Sequence, residues 1–362
     1  MGAMNELLNV TVIGDLHQRL GPVASGDDLA AITADELEPL SLRERTDLVS
    51  QALLRSLPPT WREANAIVRG LLEDPSFDGW IIWPVGETVT TLALTDGSTA
   101  ALDDALALMA ELTPRLTSEF AVRRLIEADP ERALAAALGW AGHPDEHVRR
   151  LASEGTRAFL PWAIRVRALL DDPAATVPIL DALYRDPSDY VRRSAANHLN
   201  DLSRLDPELV VATAGRWQAS PSATTPRVVR HALRTLIKKG DPGALALLGF
   251  APAEVVVGDL ELPVSVVDLP GELSFTFTVT NAGDTPADIA VDYVVHYVKK
   301  NGRLAPKVFK LTTRRLDAGE KATLAARHGF RPMTTRVHYP GTHALEVQIN
   351  GQRYGRTEFE VK

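Results

Sequence analysis

A repeat constrains this chain more than any other feature. "HPDEHVRRLASEG" (143–155), "DPSDYVRRSAANH" (186–198) and "TTPRVVRHALRTL" (224–236) share one form, and Val148, Val191 and Val228 fall at equivalent places, 43 and 37 residues apart. That spacing is the period of HEAT-like helical pairs. Such pairs stack into a curved solenoid with an extended concave surface. Within "VRRSAANHLNDLSR" (191–204), Val191, Ala195, Leu199 and Leu202 recur at helical spacing and form an apolar stripe. From residue 5 to about 250 the chain reads as short amphipathic helices broken by Pro, Gly and Asp. Asp-Pro pairs at 74–75, 129–130, 172–173, 186–187, 206–207 and 241–242 each suit the opening of a helix, because Asp caps and Pro is tolerated in the first turn.

Near residue 254 the period changes from 3.6 to 2. Leu273, Phe275, Phe277 and Val279 alternate with Ser274, Thr276 and Thr278, as in a strand with one buried face. Asn301-Gly302 lies between two strand-like runs and is a hairpin signal. About seven short strands over 254–362 suggest an Ig-like β-sandwich. The fold class is therefore multidomain α and β. A HEAT-like α-solenoid over 5–250 is followed by an Ig-like β-sandwich over 254–362, with Ala251-Pro252-Ala253 as the linker. Met1-Gly2-Ala3-Met4 reads as an expression scar and is set aside.

Bulk composition excludes several function classes. The chain has no cysteine, so disulfides, thiolate metal sites and cysteine nucleophiles are absent. No apolar run approaches the ~20 residues of a membrane helix, and a cytoplasmic protein is expected. The net charge of −8 is unevenly spread. Residues 1–114 carry a net −12, residues 115–240 a net +4, and residues 299–336 a net +9. A polyanion responds to the local field, so a basic track can coexist with an acidic whole. The bland alternative is charged surface that maintains solubility.

The three repeat helices can be superposed on Ala152, Ala195 and Ala232. Two residues earlier stand Arg150, Arg193 and Arg230; two later stand Glu154, Asn197 and Arg234. Further on come Arg157, Asn200 with Asp201, and Lys238. Stacking makes one polar wall, rich in arginine, with a glutamate and an aspartate inside it. Arginine forks suit phosphates, whereas a carboxylate repels them. The plainer reading is that Glu154 and Asp201 pair with Arg150, Arg157 or Arg204 within their own helices, and that Asn197 and Asn200 bond between repeats. Trp162 reads either as a core plug or as a residue that stacks on a nucleotide. His143 and His147 lie four apart, but Pro144 interrupts them and no third ligand is evident, so no metal is expected. Neither a nucleophile elbow nor a phosphate-binding glycine loop is present, and no cofactor is implied.

At these residues a family resemblance becomes specific. "TSEFAVRRLIEADPERAL", "HVRRLASEGTRAFLPWA", "DPSDYVRRSAANHLNDLSR" and "VVRHALRTLIKKGDPGALALLGF" resemble, in order, the AlkC family of bacterial DNA alkylation-repair glycosylases. That family belongs to a HEAT-like superfamily with AlkD. The motifs cover roughly 40–250, and the sandwich resembles the Ig-like domain of one AlkC subgroup. The resemblance implies monofunctional excision of cationic alkylated bases, chiefly 3-methyladenine, leaving an abasic site without full flipping of the lesion. It puts the family's carboxylates on Glu119, Glu154 and Asp201 and its tryptophan on Trp162. Asp201 is expected to be the main catalytic carboxylate, supported by Glu119, Glu154 and Trp162.

The expected DNA contacts are Arg149, Arg150, Arg157, Arg192, Arg193, Asn197, Arg230, Arg234 and Lys238, with Lys299, Lys300, Arg314 and Arg315 on the sandwich. The expected partner is double-stranded DNA containing alkylated bases, bound by a monomer. Two departures from the family pattern, Arg123-Arg124 in "EFAVRRL" and Ala158-Phe159 in "RAFLPW", bear on affinity and substrate preference rather than on the carboxylates. The competing readings are a non-catalytic HEAT-like DNA-structure binder, which needs the arginines but not the carboxylates with Trp162, and a protein-interaction scaffold.

Overall fold

The computed structural model describes residues 3–23, 27–331 and 337–362. Met1 and Gly2 of the 1–4 segment, and residues 332–336 of the basic segment, lie outside the described residues. Two compact units divide the chain, Met1–Ala232 and Leu233–Lys362.

In the first unit, Asp-Pro pairs start helices as their chemistry requires. Asp129 accepts from Arg132 N ahead of Pro130–Trp140, and Asp206 accepts from Leu209 N ahead of Pro207–Ala219. Asp172 does the same for a single 3₁₀ turn at Pro173–Thr176. Two pairs do otherwise: Asp74 and Asp186 accept amides two residues on, from Ser76 and Ser188, and make turns rather than caps.

The three repeat helices are Glu146–Glu154, Asp189–Leu202 and Thr225–Ala232. Val148, Val191 and Val228 are buried, as are Ala152, Ala195 and Ala232. The middle helix packs against both of the others, so the sequence repeat is a stack of neighbours. The third helix stops at Ala232, and a separate helix, Arg234–Lys239, follows. The superposition of Arg234 on Glu154 and of Lys238 on Arg157 is therefore not carried by one continuous helix.

The second unit begins with the helices Arg234–Lys239 and Pro242–Leu247. Gly240, at φ +77°, runs against Gly351, at φ +85°; a Cβ on Gly240 would meet the Gly351 Cα at 2.5 Å. Asn350 Nδ2 donates to Ala251 O at 2.7 Å. These contacts explain why residues 233–253 group with the sandwich that follows.

Among the described residues, eight strands form it: β1 (Val255–Val257), β2 (Val266–Val267), β3 (Gly271–Asn281), β4 (Ala287–Val298), β5 (Leu304–Leu316), β6 (Lys321–Phe330), β7 (Gly341–Ile349) and β8 (Gln352–Val361). One sheet has the order β1-β3-β6 and the other β2-β8-β7-β4-β5. Leu273, Phe275, Phe277 and Val279 of β3 face Ile289, Val291, Tyr293 and Val295 of β4 and Leu345 and Val347 of β7 in one core. β4 and β5 make the hairpin that Asn301-Gly302 signals, with Gly302 at φ +73°.

Candidate functional site

Three carboxylates and two arginines form a ladder across successive elements of the first unit. Glu119 lies in the turn before the helix Val122–Ala128. Its Oε2 accepts from Thr117 Oγ1 at 2.8 Å and from Arg150 Nη1 at 2.6 Å. Arg150 Nη2 lies 3.6 Å from Glu154 Oε1, one helical turn on. Glu154 Oε1 also accepts from Arg157 Nη1 at 2.5 Å, and its Oε2 accepts from Ser194 Oγ at 2.5 Å. Arg157 then reaches Asp201 with Nε at 2.9 Å and Nη2 at 2.8 Å, both on Oδ2. The carboxylates thus pair both within a helix, as plain spacing suggests, and between repeats, which spacing alone does not show.

Burial makes this electrostatics strong. Asp201 is 4% exposed, and Glu119, Glu154 and Arg157 are buried with it. Burial pushes the Asp201 carboxyl above its ordinary range, and Arg157 only partly offsets this. Burial works against the charge of Arg150 and Arg157, but the flanking carboxylates outweigh it and hold both guanidinium groups above their usual value. The Arg150 guanidinium also sits over the Tyr190 ring at 5.1 Å, a cation–π contact. His198, one turn before Asp201, is wholly buried, and burial pushes it down to about 3. It is neutral, and its Nδ1–H donates to Ser153 O at 2.9 Å.

Trp162 is 73% exposed, so it is not a core plug. Its φ is +62°, a conformation that costs an L residue roughly 1–2 kcal/mol and holds the indole outward. The stretch between the helices Glu146–Glu154 and Arg167–Asp171 that carries it has no regular helix.

The remaining expected contacts divide in two. Arg149 binds Asp186 through Nε at 2.6 Å and Nη2 at 3.0 Å, and His143 O and Pro144 O through Nη1. Arg192 binds Asp186 O, Pro187 O and Asp189. Both are tied into the turns of the repeat. Asn197 accepts from His231 Nε2 at 2.8 Å, a bond between neighbouring repeats. Arg193 pairs with Asp189 but is 63% exposed, and Arg230 is exposed. In the second unit, Lys238, Lys299, Lys300, Arg314 and Arg315 are exposed, and Arg234 is half-buried. His143 Nδ1 accepts from the Asp145 amide, and among the described residues no cluster could hold a metal.

Sequence reasoning did not single out Ser194, Tyr190, His198 or the role of Arg123. Ser194 carried a signal: it stands where the first repeat has Leu151, a polar side chain at an apolar position. Arg123 showed only as a departure from an apolar pattern.

Together these units define a class of two-part proteins, in which a HEAT-like helical repeat carries a buried carboxylate site and an Ig-like sandwich follows. Comparison with known proteins narrows the class. Residues 256–362 match the family model for the C-terminal Ig-like domain of the uncharacterised protein YhaZ. YhaZ of Bacillus subtilis (strain 168) is 36% identical over 336 residues, which is 92% of this chain and 91% of that one. The structure of Pseudomonas fluorescens alkylpurine DNA glycosylase AlkC, bound to DNA containing an abasic site analog, matches with a TM-score of 0.83, 34% identity and full coverage of both chains. The chain belongs to the AlkC family.

Proposed function

We propose that this protein is a monofunctional DNA glycosylase that removes cationic alkylated bases, chiefly 3-methyladenine, from duplex DNA and leaves an abasic site. The ladder carries this reading. Glu119, Glu154 and Asp201 bring carboxylate charge into a buried site, with Arg150 and Arg157 between them. A catalyst for this reaction needs that polarity. Alkylation at N3 makes adenine a cation, so it departs neutral with the glycosidic electron pair and needs no general acid. The positive charge that develops on the sugar needs an anion beside it.

Asp201 is assigned as that anion. Both contacts from Arg157 fall on Oδ2, and Oδ1 is assigned to the sugar and the attacking water. The water adds to C1′ and gives its proton to the carboxylate. Burial raises Asp201 and makes it a better base than a solvent-exposed aspartate. Glu119 adds negative potential, and Glu154 holds the two arginines in register. Exposed Trp162 meets the deoxyribose or lesion, and the lesion is approached without full flipping. Exposed Arg193 and Arg230 are assigned to phosphate contacts, as are Lys238, Lys299, Lys300, Arg314 and Arg315 of the second unit. The protein is assigned a cytoplasmic location and a monomeric state.

Release of 3-methyladenine from methylated duplex DNA, measured for wild type beside Asp201→Asn, tests the reading. Release by wild type, with loss in a folded variant that still binds DNA, is the expected result. No release by either, with DNA binding intact, would leave the non-catalytic DNA-structure binder.

A further inference from the structure

Arg123 is the second residue of the helix Val122–Ala128 and is 0% exposed. A buried charge is costly unless it is compensated. Among the described residues no carboxylate forms an ion pair with Arg123. Its partners are backbone carbonyls: Nε donates to Ile164 O at 2.8 Å, and Nη1 donates to Gly155 O at 3.0 Å and to Arg157 O at 2.7 Å. Nη2 is buried with no hydrogen-bond partner. Burial pushes the guanidinium down to about 10, aided by the charges of Arg165 and Arg157. A leucine would fill this helix position without that cost.

The three acceptors mark out one segment. Gly155 and Arg157 stand at its start, and Ile164 lies two residues beyond Trp162. The segment lacks the hydrogen bonds of a regular helix, and Arg123 supplies a substitute from its planar fork. The backbone approach is tight: a Cβ on Gly155 would lie 2.8 Å from Val122 Cγ1. Fixing the carbonyl of Arg157 fixes where its guanidinium begins, and that guanidinium spans Glu154 and Asp201. Fixing Ile164 limits where Trp162 can stand.

We infer that Arg123 is a positioning residue for base excision: its buried fork clamps the 155–164 segment so that Arg157 holds Asp201 and Trp162 faces the DNA. The inference rests on the glycosylase reading of this site. It explains the arginine that interrupts the apolar pattern of "EFAVRRL". A lysine keeps the charge but cannot span three carbonyls with a planar fork.

Single-turnover release of methylated bases, with enzyme in saturating excess, is measured for wild type, Arg123→Lys and Arg123→Met. Folding is checked by circular dichroism and affinity by titration with undamaged duplex. Misplacement by about 1 Å can cost on the order of 100-fold in rate. The expected result is a fall of roughly 10- to 100-fold in the saturated rate for Arg123→Met, a smaller fall for Arg123→Lys, and affinity changed by less than about threefold. If Arg123→Met does not fold, Arg123→Lys decides. A wild-type saturated rate in either folded variant, or failure of both to fold, overturns the clamp in favour of a purely structural arginine. No release by the wild type takes down the glycosylase reading, and the inference with it. Unchanged release in a folded Arg123 variant takes down the clamp alone.

Discussion

Replacing Arg157 with methionine isolates what holds the ladder together. The side chain keeps most of its length and loses its charge, so Glu154 and Asp201 stay buried without the group that links them. Unit charges about 4 Å apart attract by about 4 kcal/mol at an effective dielectric of 20, and Arg157 makes two such pairs. Against that, the variant no longer has to desolvate a guanidinium, which costs several kcal/mol. The net loss expected on breaking such a buried pair is about 3–5 kcal/mol. In a unit of this size each kcal/mol moves the melting temperature by roughly 2–4 °C, so the variant melts about 10–15 °C below wild type. Lower pH narrows the gap. Without Arg157 the Asp201 carboxyl, which burial already raises, binds its proton more tightly in the folded than in the unfolded chain, so the variant's stability falls as pH rises. Thermal melts at pH 5 and pH 7.5 measure both effects. DNA affinity supplies the second readout. An arginine held by two carboxylates leaves the slope of log affinity against log salt unchanged, whereas loss of a phosphate contact lowers it by about 1. A melting shift under about 3 °C, or a slope reduced by one contact, would refute the reasoning.

Three further outcomes follow from the same geometry. Asp201→Asn removes a carboxylate that burial holds above its ordinary value. In the window between the unfolded value and that raised folded value, the native wild type keeps a proton that the unfolded chain releases, so this group's contribution to stability falls as pH rises. The variant should lose that slope in denaturant titrations across the acidic range, and a slope identical to wild type would contradict the assignment. Ser194→Ala deletes a hydrogen bond to a buried carboxylate; a cost of about 1.5–3 kcal/mol, visible as a lower melting temperature, is expected, and an unchanged melt would contradict it. Neutralising Lys299, Lys300, Arg314 and Arg315 together to glutamine should reduce the salt slope by about 0.9 per phosphate contact with the melt unaltered, and an unchanged slope would remove the sandwich from the DNA interface.

How much of this was legible in the sequence differs between elements. The repeat, the change of period and the Asn301-Gly302 hairpin could all be read because each is local: a helix stripe recurs at 3.6, a strand face at 2, and a two-residue turn demands its own residue types. The core positions Val148, Val191 and Val228 followed from the same spacing. The carboxylates Glu154 and Asp201 could be seen on the polar face, but Glu119 came only with the family resemblance, because it lies in a turn outside the aligned row.

Tertiary structure alone decided which arginines serve which partner. Sequence spacing made Arg149, Arg150, Arg157, Arg192 and Arg193 look alike. The fold ties Arg149 and Arg192 into turns, sets Arg150 and Arg157 between carboxylates, and leaves Arg193 mostly in solvent. It also turned Trp162 outward and Arg123 inward. The physical reason is distance along the chain. A guanidinium reaches any acceptor that folding brings within a few ångströms, and here those acceptors stand 31 residues away for Arg150 and 44 for Arg157. Periodicity fixes the face on which a side chain starts, and the packing of neighbouring repeats fixes what it meets.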